Sequence, residues 1–296
     1  MTAGITLAAP DTLLTARAVD FLGMGPADAR TLISHVCQLP TMPPGVAEHM
    51  AVALFAGHRR FVRESDGRWR LSYGSDQTPV FAPCGGLHGL TYAVVDVETT
   101  GGRLAGDRIT EVAVVHVKDG DASTVFDALI NPERSIPPWV SRLTNISWNM
   151  VKDAPTFREV CHQLLGVLEG RIFVAHNAGF DWNFIAMEVA RATGQKLEGR
   201  RLCTVRLARK LLPQLRRRSL DYVAMHYGVQ IVARHRAGGD ALATAKVLLR
   251  MLRDARGHGC ETWSELERLL ATPSRKRRRH RRPPAMPQPV SKDTTA

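Results

Sequence analysis

The stretch TYAVVDVETTGG, Thr91 to Gly102, ends an apolar run with two carboxylates, Asp96 and Glu98. Burying an unpaired carboxylate costs several kcal/mol, roughly, even after the protein relaxes around it. In a β-strand, residues i and i+2 point to the same face, so this spacing aims both acids at one spot. Either a cation meets them there or the segment is not a strand.

The residues that follow support the strand. RITEVAVVHVKDG (108–120) and ASTVFDALINP (122–132) are two more β-rich runs set off by short turns, which predicts an antiparallel meander. Helical segments follow through PPWVSRL, SWNMVKD and PTFREVCHQLLGVLEG. RIFVAH reads as a buried strand, FDWNFIAMEVARATG as a helix, and SLDYVAMHYG, DALATAKVLLRMLRDA and TWSELERLLA as the final helices. Three leading strands followed by alternating helix and strand predict an α/β domain, a mixed sheet flanked by helices.

Two later segments carry matching chemistry. After RIFVAH comes NAGFD, which sets Asp181 at the start of a helix; HRAGGDA sets His235 and Asp240 just before another. Taken singly, a D-x-E at a strand end reads as a solvated edge, an Asp at a helix start as a cap, and a loop histidine as exposed surface. Together they place four carboxylates and an imidazole at the ends of elements, where they can converge. Carboxylate oxygens suit Mg²⁺ or Mn²⁺. Two such ions about 4 Å apart can hold the attacking and leaving oxygens of an in-line phosphoryl displacement. An imidazole titrates near neutral pH and can take the proton from the attacking water.

VVDVETTG, VAHNAGFD and HRAGGDA, in that order, resemble the three motifs of the DEDDh exonuclease superfamily, and the resemblance runs from about Thr91 to Ala255. That superfamily includes the proofreading subunit of the bacterial replicative polymerase and ribonuclease T. The resemblance implies a ribonuclease H-like fold and removal of nucleotides from 3′ ends with two divalent ions, Mg²⁺ or Mn²⁺. It further implies that Asp96 bridges both ions, that Glu98 and Asp240 hold the ion that activates water, and that Asp181 supports the second. His235 becomes the general base; the His-x4-Asp spacing marks the histidine branch. Thr99, Thr100 and Gly101, with Asn177 and Phe180, are implied at the pocket for the terminal nucleotide. Asn145 stands where relatives often carry Gly, and Asn tolerates the left-handed turn this requires.

The rest of the chain reads differently. Residues 1–74 predict helices followed by a hairpin at Asp66-Gly67, an element order that resembles a winged helix-turn-helix domain. Arg59, Arg60, Arg63, Arg68 and Arg70 surround Phe61 and Trp69 in that hairpin, as a phosphate-tracking wing or as solvated charge around two core aromatics. Residues 75–90, rich in Gly and Pro, read as a linker. Residues 91–272 read as the exonuclease domain that the resemblance implies. The tail 273–296 carries eight Lys or Arg against one Asp, so it supplies +7 of the net +12, and it reads as disordered.

Such a charge favours a polyanionic partner. Five scattered cysteines with no C-x-x-C pair argue against a disulfide framework or zinc site. No signal peptide or membrane-length apolar run is read, which predicts a cytoplasmic protein with no membrane partner. The expectation is a metal-dependent 3′→5′ exonuclease acting on 3′ ends of single-stranded DNA and releasing 5′-mononucleotides. The resemblance adds a proofreading or repair role, with a polymerase or repair complex as partner. An RNA 3′-end trimming exoribonuclease and a non-catalytic nucleic-acid-binding regulator are the alternatives.

Overall fold

The computed structural model describes residues 4–8, 12–39, 42–58, 60–72 and 86–272. Arg59, Cys84, most of the 75–90 stretch and the whole tail 273–296 lie outside the described residues. In chain order the elements are β1 (Thr6–Ala8), α1 (Leu13–Leu22), α2 (Ala29–Cys37), α3 (Pro44–Phe55), β2 (Phe61–Arg63) and β3 (Trp69–Leu71). After a 3₁₀ turn at Leu87–Gly89 come β4 (Tyr92–Thr99), β5 (Ile109–Lys118), β6 (Asp121–Leu129), α4 (Pro138–Thr144), α5 (Trp148–Val151) and α6 (Phe157–Leu168). Next are β7 (Ile172–Ala175), α7 (Gly179–Thr193), β8 (Lys196–Glu198), β9 (Arg201–Cys203), α8 (Thr204–Leu211), α9 (Leu220–His226), α10 (Ala237–Gly257) and α11 (Trp263–Ala271).

The central sheet has five strands in the order β6-β5-β4-β7-β9. β6, β5 and β4 are antiparallel, while β7 and β9 run parallel to β4, so the sheet is mixed as expected. β4 is covered on both faces and reads as a continuous apolar run until Asp96. Tyr92 and Val94 join a core shared with α8, α9, α10 and α11, whereas Ala93, Val95 and Val97 join the opposite core under α6 and α7. α10 lies flat on the first face because Ala237, Ala241 and Ala245, spaced one turn apart, present almost no side chain to the sheet.

Two boundaries differ from those read in the sequence. Leu87, assigned to the linker, is buried; its N–H donates to Glu261 O at 2.6 Å and its carbonyl accepts from the Tyr92 hydroxyl at 2.7 Å. Residues 4–8, counted with the N-terminal helices, instead pack on the large domain. β1 pairs antiparallel with β8, and Ile5 enters the α6–α7 core. Apolar side chains there found a larger surface to bury than a short hairpin domain offers.

α1–α3 and the β2–β3 hairpin enclose a core of their own, in which Phe55 packs against Phe61 and Trp69. Paired N–H···O bonds between Ala27 and Trp69, 2.8 and 2.7 Å, add a third short edge to the hairpin. Phe61 and Trp69 are buried, and Arg63, Arg68 and Arg70 pair with Glu48, Asp66 and Glu64. Asn145 closes α4 in the left-handed conformation, φ 57°, as its position demanded. No helix among the described residues is long and apolar enough to cross a membrane.

Candidate active site

Strand parity places the first two acids. Asp96 and Glu98 continue the even series begun by Tyr92 and Val94, so they face α10 rather than α7. The first turn of α10 supplies Asp240, and the loop just before it supplies His235. Carboxylate and imidazole atoms of Glu98, His235 and Asp240 lie within 4.8 Å of one another. Asp181, in the first turn of α7 on the far face, reaches the end of the strand, where its Oδ1 accepts the Val97 N–H at 3.2 Å. All five residues expected at the site thus gather at one end of β4.

The loop carrying His235 is tightly folded. Ala233 and His235 adopt left-handed backbone, φ 56° and 61°, a conformation that costs L-residues energy. A Cβ on Gly239 would stand 1.9 Å from the Val232 carbonyl oxygen, so only glycine lets this loop press on the helix. Asp240 Oδ2 accepts the His235 N–H at 3.2 Å and pairs with Arg234. Arg234 is held in turn by Asp221, Nε to Oδ1 at 2.7 Å and Nη2 to Oδ2 at 3.3 Å.

The acids crowd one another. Burial and then repulsion from Asp181, Asp240 and Glu98 lift the Asp96 carboxyl well above the ordinary range, and Arg234 opposes the rise. Burial, with repulsion from Asp240 and Glu111, pushes Glu98 up to about 8. Burial pushes Asp181 up to about 7, against the pull of the Val97 N–H it accepts. Asp240 is raised by burial, with Arg234 and the His235 N–H pulling the other way. Burial leads in each case and mutual repulsion adds to it for Asp96 and Glu98, so a bound cation would favour the ionised forms. Asp240 Oδ1 is buried with no hydrogen-bond partner, an acceptor left open. An all-carboxylate donor set with an open acceptor fits a hard divalent cation such as Mg²⁺ or Mn²⁺.

Glu111 is the positioning residue that the sequence reading passed over. It sits opposite Glu98 on β5 and faces α10. Its carboxylate takes Arg236 Nε and Nη2 at 3.0 and 2.6 Å and the Ala237 N–H at 2.8 Å, capping α10 and fixing the helix to the sheet one turn before Asp240. A glutamate within the apolar run ITEVAVV was the available signal. The paired glycines before Asp240 were another.

The residues expected around the terminal nucleotide are more spread. Thr99 is buried, with its Oγ1 donating to Gly101 O at 2.6 Å. Thr100 Oγ1 donates to Asp107 Oδ1 at 3.1 Å. A Cβ on Gly101 would fall 2.5 Å from Asp107 Oδ2, so this glycine is required by the Asp107 carboxylate rather than by an approaching ligand alone. Asn177 turns the chain from β7 into α7 with φ 78°, and Phe180, 36% exposed, leans on Phe184 at 4.9 Å. His176 ties this turn to its surroundings through Thr204 Oγ1 and the Arg218 carbonyl, both at 2.9 Å.

A mixed sheet led by three antiparallel strands, with carboxylates converging at the end of its central strand, defines a ribonuclease H-like nuclease domain. The exonuclease family described as RNase_T matches residues 93–248, more than half of the chain, and the chain belongs to that family. It is 36% identical over 179 residues to the PolC-type DNA polymerase III of Caldanaerobacter subterraneus subsp. tengcongensis, covering 60% of this chain and 13% of the relative. It is 38% identical over 192 residues to a Mycobacterium tuberculosis protein described as a bifunctional exonuclease/endonuclease, covering 62% of this chain and 30% of that one. The chain therefore spans a minor part of each relative's length. Escherichia coli exonuclease I, solved with a dT13 oligonucleotide, shares the fold with a TM-score of 0.50 at 16% identity over 57% of this chain and 43% of that one.

Proposed function

We propose that the protein is a metal-dependent 3′→5′ exonuclease that hydrolyses phosphodiester bonds at 3′ ends of single-stranded DNA and releases 5′-mononucleotides. The observation that carries this reading is the meeting of Asp96, Glu98, Asp181, Asp240 and His235 at one end of β4, in a chain of the exonuclease family. Divalent ions held by Asp96, Glu98, Asp181 and Asp240 supply Lewis acidity and a nucleophile at neutral pH when bound. His235, within 4.8 Å of Glu98 and Asp240, is positioned to take the proton of the attacking water. Glu111 and Gly239 keep His235 and Asp240 in register with the strand. Thr99, Thr100, Gly101, Asn177 and Phe180 border the place of the terminal nucleotide, where the exposed Phe180 ring offers a face to a base.

The three-helix and hairpin unit serves as a winged-helix-like accessory domain in this proposal. Its paired arginines and buried aromatics favour a packing role over backbone tracking. A cytoplasmic setting and a role beside a replicative polymerase or in repair draw support from the PolC-type relatives.

The test uses 5′-labelled DNA and RNA oligomers with Mg²⁺ or Mn²⁺ and an Asp96→Ala control. A ladder shortening from the 3′ end, abolished by EDTA and by the substitution, is expected, with DNA cut faster than RNA. Faster cutting of RNA would reassign the substrate, and binding without cutting in either metal would leave a non-catalytic binding protein.

A further inference from the structure

Resting on the exonuclease reading, we infer that the rim segment Arg216–Tyr222, with Met225, grips the nucleic-acid strand upstream of its 3′-terminal nucleotide. Residues 199–220 contain eight arginines and lysines and no acidic residue. Among the described residues, none of the eight pairs with a carboxylate; the neighbouring acids Glu198 and Asp221 pair with Lys196 and Arg234 instead. Arg63, Arg68 and Arg70 of the N-terminal hairpin are each paired with a carboxylate, whereas this strip carries a run of positive charge with none.

The strip leads back to the acids. The Arg218 carbonyl accepts from His176 Nε2 at 2.9 Å, one residue from Asn177. Asp221 holds Arg234, which pairs with Asp240. Tyr222 is the next residue. The Arg217 guanidinium lies 5.5 Å over the Tyr222 ring, and its Nη1 donates to the Tyr222 hydroxyl at 3.1 Å. Met225, one turn along α9 on the same face, is 72% exposed.

A guanidinium fixed on an exposed ring, near a bare thioether and with the adjacent Asp221 carboxylate engaged by Arg234, suits one ligand chemistry: a single strand of nucleic acid. Arginine takes the phosphates, while the ring and sulfur take base faces. Trp139 and Trp148 on α4 and α5 are also exposed, but charge around them is mixed (Glu133 and Asp153 against Arg134 and Lys152), which fits a polyanion less well.

The test compares two substrates with the full-length protein. The p-nitrophenyl ester of thymidine 5′-monophosphate fills only the terminal-nucleotide place; a 5′-labelled dT10 extends beyond it. In Arg216→Ala/Arg217→Ala, the dT10 KM should rise at least tenfold, with kcat and ester turnover within twofold of wild type. The dependence of log KM on log salt should flatten by about 1.4, because two phosphates of a single strand would no longer be neutralised by the protein. Tyr222→Ala should raise the dT10 KM similarly, and Tyr222→Phe, which keeps the ring, should restore most of it. An unchanged KM and salt slope, or ester and oligomer turnover falling together, would overturn the inference. Wild-type protein that cleaves neither substrate would remove the exonuclease reading itself.

Discussion

Replacing Glu98 with glutamine should make the metal-free protein more stable at alkaline pH while destroying its activity. The Glu98 carboxyl rises from 4.5 to about 8 in the folded protein. Between those values the folded state keeps a proton that the unfolded chain has released, so stability falls as pH rises through that window and is lowest above it. Taken whole, that rise corresponds to at most about 5 kcal/mol. Glu98 is partly exposed, and its neighbours share the proton load, so removing one charge should recover about 1–2 kcal/mol. For a domain of this size that is roughly 3–6 °C in Tm. Thermal unfolding in EDTA from pH 4 to 9 tests this. At pH 4, below both values, the variant and wild type should melt most nearly together, because a protonated glutamate and a glutamine are nearly isosteric. By pH 8.5 the variant should melt higher, and added Mn²⁺ should raise the wild-type Tm more than the variant's. A variant that is no more stable at pH 8.5, or a gap that does not change with pH, would refute the picture of buried acids crowding one another.

Further consequences are open to measurement. Glu111→Gln should cost about 2 kcal/mol by leaving Arg236 without its carboxylate, and it should weaken Mn²⁺ binding in calorimetry by loosening the α10 terminus; unchanged affinity would show that the helix needs no such anchor. Gly239→Ala should lower Tm and cut exonuclease turnover, since its Cβ meets a backbone carbonyl that cannot yield as a side chain could. Asn145→Gly should raise stability by about 0.5 kcal/mol in denaturant melts, because glycine meets no steric cost at a left-handed helix end.

Much of this fold is legible in the chain because its periodicities are clean. β4, β5 and β7 are apolar runs bounded by turn residues, and α6, α7 and α10 carry apolar stripes at helical spacing. The acids are legible because each interrupts such a pattern or begins an element. What escaped are features set by contacts between distant segments. β1, β8 and β9 are three-residue strands defined by their partners, with no periodicity of their own. Leu87 lies in a Gly- and Pro-rich run, and its bonds to Glu261 and to the Tyr92 hydroxyl tie it into the large domain. Arg234 and Glu111 look like ordinary surface and strand charges until α10 brings Asp240 and Arg236 against them. Gly101 reads in the chain as yielding to a ligand, whereas the nearest claim on its space comes from Asp107.

The odd positions of β4 from Ala93 to Val97 serve the core, whereas the even positions serve it at one end and gather carboxylates at the other. Because Asp96 and Glu98 strain the fold they sit in, drift under selection for stability alone would remove them first, leaving the sheet, α10 and the basic rim intact. A lineage released from cutting could thus become a binder of nucleic-acid ends in one or two substitutions. On the proposed exonuclease reading, the four acids and the histidine persist only while turnover is selected, against the interest of the scaffold that carries them.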